Sequence, residues 1–101
     1  MSQKLKVIFA KTGSSRFISH LDLVRLFQRA PRRASLPVVI TQGFSPRLKI
    51  SIAKALKLGM ESVSEEATFH MSIPVRPEDF MRSMNEKLPD GVNIIKAEEI
   101  K

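Results

Sequence analysis

Alternating apolar and polar residues over Leu5 to Phe9 and Ala67 to Ile73, two amphipathic helical stretches, and a β-branched segment closed by a Gly-Phe-Ser-Pro turn predict an α+β fold. The order is strand, helix, two strands with room for a third, helix, strand. That order matches the ferredoxin-like split βαβ layout, an antiparallel sheet with two helices on one face. At 101 residues the chain has the size of one domain, expected over residues 1–101.

The first strand is read from Leu5, Val7 and Phe9 alternating with Lys4 and Lys6. Lys11 to Ser15 reads as a loop. Ser19 is a helix N-cap type, and Asp22 three positions later can return a bond to the Ser19 N–H, a capping box with Asp in place of Glu. Leu23, Leu26, Phe27, Ala30 and Ala34 then fall on one side of the helix, opposite Asp22, Arg25, Arg29 and Arg33. Pro31 lacks an N–H and its ring meets the Phe27 carbonyl, which predicts a kink or a new turn there, with Arg32 and Arg33 on a separate short piece.

Leu36 to Thr41 and Leu48 to Ile52 read as two strands joined by the loop that contains Gly43, Phe44, Ser45 and Pro46. Ala55 to Ser62 carries no pattern beyond a bend at Gly59. Ala67, Phe69, Met71 and Ile73 alternate with polar residues as a further strand. Pro77, Glu78 and Asp79 suit a helix first turn, Phe80, Met84 and Leu88 repeat every four residues, and Pro89-Asp90-Gly91 stops the helix. Val92 to Ile100 reads as the last strand. Met60, Met71, Met81 and Met84 read as core filler.

Charge is split along the chain. Residues 1–57 hold twelve Lys or Arg against the single acid Asp22, a net of +11, whereas residues 58–101 hold five bases and nine acids, a net of −4. One surface is therefore expected to face a polyanion and another not. The absence of cysteine excludes disulfides, thiolate nucleophiles, cysteine-type zinc sites and a cysteine-held iron–sulfur cluster. Two histidines are a poor basis for a metal site, so no metal and no cofactor are expected. The start MSQKLKVIFAKTG has too brief an apolar stretch for a signal peptide, and no run is long enough to span a bilayer, so the expected location is cytoplasmic, without membrane contact.

The residues read as carrying function are the arginine row Arg25, Arg29 and Arg33, with Arg16, Arg32, Arg47 and Lys49 nearby in sequence. A solvated helix face usually mixes signs, and like charges four residues apart repel; phosphates would relieve that repulsion. Arginine in place of lysine fits bidentate phosphate contact. The chain has no Tyr, no Trp and no glycine-and-aromatic run of the RNA-recognition type, so backbone contacts should dominate any RNA binding. His20 at the helix start is the one candidate general base or acid, and no second catalytic partner is evident. His70 reads as a surface residue. Gly43 and Pro46 are explained by the loop itself, glycine supplying a positive φ and proline restricting Ser45.

In order along the chain, the motifs Arg16-Phe17-Ile18-Ser19-His20-Leu21-Asp22-Leu23, Arg29-Ala30, Arg32-Arg33-Ala34, Leu36-Pro37, Gln42-Gly43-Phe44-Ser45-Pro46, Lys49-Ile50-Ser51 and Leu58-Gly59-Met60-Glu61-Ser62 closely resemble the radical SAM-linked protein family. That family is a bacterial domain of unknown function, encoded beside or fused behind a radical SAM protein. Its motif positions here include Ser19, His20, Asp22, Gly43, Phe44 and Pro46. Pro31 and Leu48 depart from it, where members usually have a helix former and a proline. Members are often longer, which implies that these residues form the N-terminal part of a longer protein. The resemblance implies an accessory role beside a radical SAM enzyme, the partner that would hold the cluster.

Three functions are compatible with these residues. The leading one is a non-catalytic accessory domain that binds structured RNA, tRNA or rRNA, through the basic helix face. The others are a metal-independent RNA endonuclease using His20, and a protein-interaction module that docks on the partner enzyme.

Overall fold

The computed structural model describes residues 2–53 and 59–100; Ala55 to Leu58, part of the segment without a sequence assignment, lies outside the described residues. The elements are β1 (Gln3–Lys11), a 3-10 turn (Gly13–Phe17), α1 (His20–Arg33), β2 (Ile50–Ile52), β3 (Ser62–Met71), α2 (Pro77–Asn85) and β4 (Val92–Ile100). The strands form one antiparallel sheet in the order β2-β3-β1-β4. This is the ferredoxin-like arrangement expected from the pattern of elements.

Period-two patterning sets the sheet's two faces. Leu5, Val7 and Phe9 of β1 pair with Phe69, Ala67 and Glu65 of β3, and the apolar members turn toward the helices. Four phenylalanines then link all the main layers. Phe9 on β1 meets Phe27 on α1 at 4.9 Å between ring centres, Phe27 meets Phe69 on β3 at 5.7 Å, and Phe69 meets Phe80 on α2 at 4.9 Å. The two 4.9 Å pairs are edge-to-face, the geometry aromatic quadrupoles favour. Leu23, Met71, Met84 and Val92 are fully buried beside them.

The opposite face of the sheet carries Lys4, Lys6 and Ile8 beside His70, Thr68 and Glu66 on one side and Ile100, Glu98 and Lys96 on the other. Lys6 and Glu66 form an ion pair at 3.1 Å. This face mixes signs, and among these positions its one aromatic ring is the His70 imidazole.

Several local expectations change. α1 runs unbroken through Pro31 to Arg33, so Arg32 and Arg33 belong to the same helix as Arg25 and Arg29 rather than to a separate piece. Pro31 stands in the last turn, where its missing N–H forfeits one bond, and its ring is buried. Ser19 caps α1 by accepting from the Asp22 N–H at 3.1 Å, but the Asp22 carboxylate turns to Arg25 at 3.5 Å instead of closing a capping box.

Leu36 to Thr41 is not a strand. Its backbone forks: the Val39 N–H donates to the His70 carbonyl on the β3 side, while the Thr41 N–H donates to the Arg47 carbonyl. Only single bridges form, Val38 to Met71 and Ile40 to Leu48, and the strand expected from Leu48 shortens to Ile50–Ile52. β3 begins at Ser62 and ends at Met71, leaving Ile73 exposed beyond it, and Met60 is exposed rather than core.

Lys11 to Ser15 is not a loop either. Lys11 ends β1 and is 2 % exposed, where register shifts against both neighbouring strands bury Phe9, Ala10 and Lys11 in succession. The 3-10 turn after it docks on the α2–β4 turn through Thr12 N–H to the Gly91 carbonyl at 2.8 Å and Ser15 Oγ to the Asp90 carbonyl at 2.5 Å. Gly91 has a φ of +89°, and a Cβ there would overlap the Thr12 carbonyl.

Candidate nucleic-acid interface

The exposed side of α1 faces the loop of residues 42–46, and two anchors hold that loop in place. The first is Gln28, midway along the helix, whose Nε2 donates to the Leu48 carbonyl at 3.0 Å while its Oε1 accepts from the Leu48 N–H at 2.9 Å. The second closes the loop at its base, where the Thr41 N–H donates to the Arg47 carbonyl at 2.7 Å and the Arg47 N–H donates to Thr41 Oγ1 at 3.1 Å. Gly43, with a φ of +135°, makes the turn in open space. Pro46 and Arg47 thereby become one wall of a groove and α1 the other.

This open groove has a volume of about 470 Å³. Arg25, Arg29 and Arg32 line it from successive turns of α1, Arg47 lines it from the loop, and Leu21 and Val24 supply its apolar lining on the helix. Arg25 and Arg29 also border a second hollow, about 300 Å³, on the far side of the helix ridge beside Ile18 and Pro89. A smaller cavity of about 110 Å³ adjoins the groove through Val24, Gln28 and Arg47, and His20 lines it with Phe27, Ile50 and Ile52. Lys49 lies on a further hollow that also shares Gln28 and Arg47.

Of the residues singled out in the sequence, Arg25, Arg29, Arg32 and Arg47 meet on one groove, with His20 and Lys49 on adjoining ones. Arg33 is exposed at the end of α1 and lines none of these hollows. Arg16 is engaged at home: its guanidinium lies 4.4 Å over the Phe17 ring and Nη1 donates to the Gly13 carbonyl at 3.0 Å. Among the described residues Asp22 is the one acid within 4.0 Å of a groove arginine, 3.5 Å from Arg25, and this exposed pair contributes little.

The sequence reading missed two features of this site. Gln28 sits among polar helix positions with nothing to mark it as the clasp of the loop. Phe44, although part of a motif, gave no sign that its ring would be fully exposed, at 109 % relative accessibility. Among the described residues there is no cluster of three or more metal-ligating side chains, and no helix is long and apolar enough to cross a membrane.

Fold and groove together define a small ferredoxin-like domain with an arginine-lined cleft on its helical side. The chain belongs to a family described as "Uncharacterized protein conserved in bacteria (DUF2344)", whose model matches residues 4–101. No curated protein sequence matches it.

Proposed function

We propose that this chain is a non-catalytic accessory domain that binds structured RNA, tRNA or rRNA, through the groove between α1 and the 42–46 loop. The observation that carries the proposal is the convergence of Arg25, Arg29, Arg32 and Arg47 from two separate segments onto one cleft, almost without acids. Guanidinium groups match phosphate oxygens two bonds at a time, and bound phosphates offset the mutual repulsion of four clustered cations. Lys49 lines a hollow that shares Gln28 and Arg47 with the groove, while its ammonium also acts on His70.

Binding ranks above strand cleavage because His20 shares its cavity with apolar side chains, Gln28 and Arg47, and among the described residues no carboxylate or second base lines it. The likeness of the motifs to the radical SAM-linked family supports a radical SAM enzyme as the partner, with the domain presenting RNA to it in the cytoplasm. The cluster's thiolates would come from that partner, since this chain has no cysteine.

Filter binding of a tRNA or rRNA fragment at rising salt tests the proposal. Four arginines on four single-strand phosphates give a log–log slope of roughly −3. Replacing Arg25, Arg29 and Arg47 together by Glu is expected to lower affinity about a hundredfold, whereas Arg33→Glu, on the same helix but outside the groove, leaves it near wild type. Wild-type affinity in the triple variant refutes RNA binding at the groove. Loss of partner co-purification in that variant, with no RNA bound by either form, would assign the groove to protein docking instead.

A further inference from the structure

Five of the six phenylalanines have a role inside the molecule. Phe9, Phe27, Phe69 and Phe80 form the buried stack, and Phe17, though 56 % exposed, lies under the Arg16 guanidinium. Phe44 has none. Its ring stands in solvent on a loop whose base is bonded across Thr41 and Arg47 and tied to α1 through Gln28 and Leu48. Exposing a whole aromatic ring forgoes the gain of burying it. Two residues of chain separate Phe44 from the groove wall at Pro46, a span of at most about 7 Å.

We propose that Phe44 is a stacking platform for an unpaired RNA base whose flanking phosphates lie in the arginine groove. The inference rests on the RNA-binding reading of that groove and names the form of RNA it takes: a single-stranded or looped-out nucleotide. A phenylalanine ring has no polar atom, so it reads the π-face of any base and confers little sequence preference. Bases in a duplex are already stacked on their neighbours and cannot offer that face without being unpaired. The aromatic contribution that composition argued against, for want of Tyr and Trp, is supplied by one ring at one place.

The chain has no tryptophan or tyrosine, so the indole of Phe44→Trp reports on this position alone. The full chain carrying Phe44→Trp is titrated with an oligouridylate of about ten nucleotides, with inorganic polyphosphate of matched charge, with a duplex RNA and with anionic phospholipid vesicles. Oligouridylate is expected to quench the indole over the concentration range in which it binds, while polyphosphate binds without quenching. Phe44→Ala, a change at a fully exposed position, is expected to weaken oligouridylate binding about tenfold and leave duplex and polyphosphate binding unchanged. Oligouridylate bound with wild-type affinity by Phe44→Ala, or without quenching of the indole, overturns the stacking proposal while leaving the arginine groove standing. A blue shift on vesicles with no response to RNA overturns it in favour of membrane insertion. No binding of any RNA by the wild-type chain removes both.

Discussion

Gln28 is the residue on which the groove's shape most depends, because a single side chain satisfies both backbone groups of Leu48 and so fixes the distance between helix and loop. Gln28→Leu keeps the volume and the net charge but strands the Leu48 N–H and carbonyl. It is expected to destabilise the fold by about 1–3 kcal/mol and to weaken RNA binding with every arginine still present. Urea unfolding and filter binding on the same variant check both halves. His70 is a second residue-scale case. Burial first, then the Lys49 and Lys4 ammonium groups, hold its imidazole below the ordinary value of 6.5. The unfolded chain therefore binds this proton more readily than the folded one, so the associated stability is whole above about pH 6.5 and is lost as pH falls through the folded value. Between about pH 7.5 and about 5.5 the wild-type Tm is expected to fall further than that of His70→Gln, as scanning calorimetry would read. At this scale the sequence reading found residues whose type constrains their own backbone, such as Ser19 and Gly43. It could not find Gln28 or the exposure of Phe44, since both depend on which segment lies across from them.

Among elements, α1 matters most, since it supplies Phe27 to the core and three arginines to the groove from opposite sides. Its first turn is fixed by the Ser19 cap, and Ser19→Ala is expected to lower stability by about 1 kcal/mol without altering the groove's charge. Chemical denaturation measures that loss, and retained RNA affinity at low temperature would separate it from any effect on binding. The helical pattern was legible along the whole of α1 because its apolar side keeps one period from Leu23 to Ala30. Pro31 misled because the cost of an interior proline shrinks in a last turn whose ring side is buried. The stretch from Leu36 to Ile52 misled for a different reason. Its β-branched residues fit a strand, but the chain bonds to β3 with one half and to the Arg47–Leu48 segment with the other, a division that no local pattern records.

For the whole molecule, the split of charge along the sequence becomes a choice between two surfaces. Ferredoxin-like domains of the RNA-recognition type use the open sheet, where aromatic rings stack bases. Here that face holds Lys4, Lys6 and Lys96 interleaved with Glu66 and Glu98, with one of the lysines already paired, and the His70 imidazole as its one ring among these positions. The helical side instead gathers four arginines with, among the described residues, one acid within 4.0 Å, and the loop that walls the groove carries the exposed Phe44. RNA bound by this domain should therefore lie across α1 and the 42–46 loop. Amide chemical-shift mapping during titration with an unpaired oligoribonucleotide tests this most directly. The result expected is a continuous set of perturbations over residues 21–32 and 42–49. Perturbations confined to Lys4, Lys6, Thr68, His70 and Lys96 on the sheet, with α1 unmoved, would contradict it.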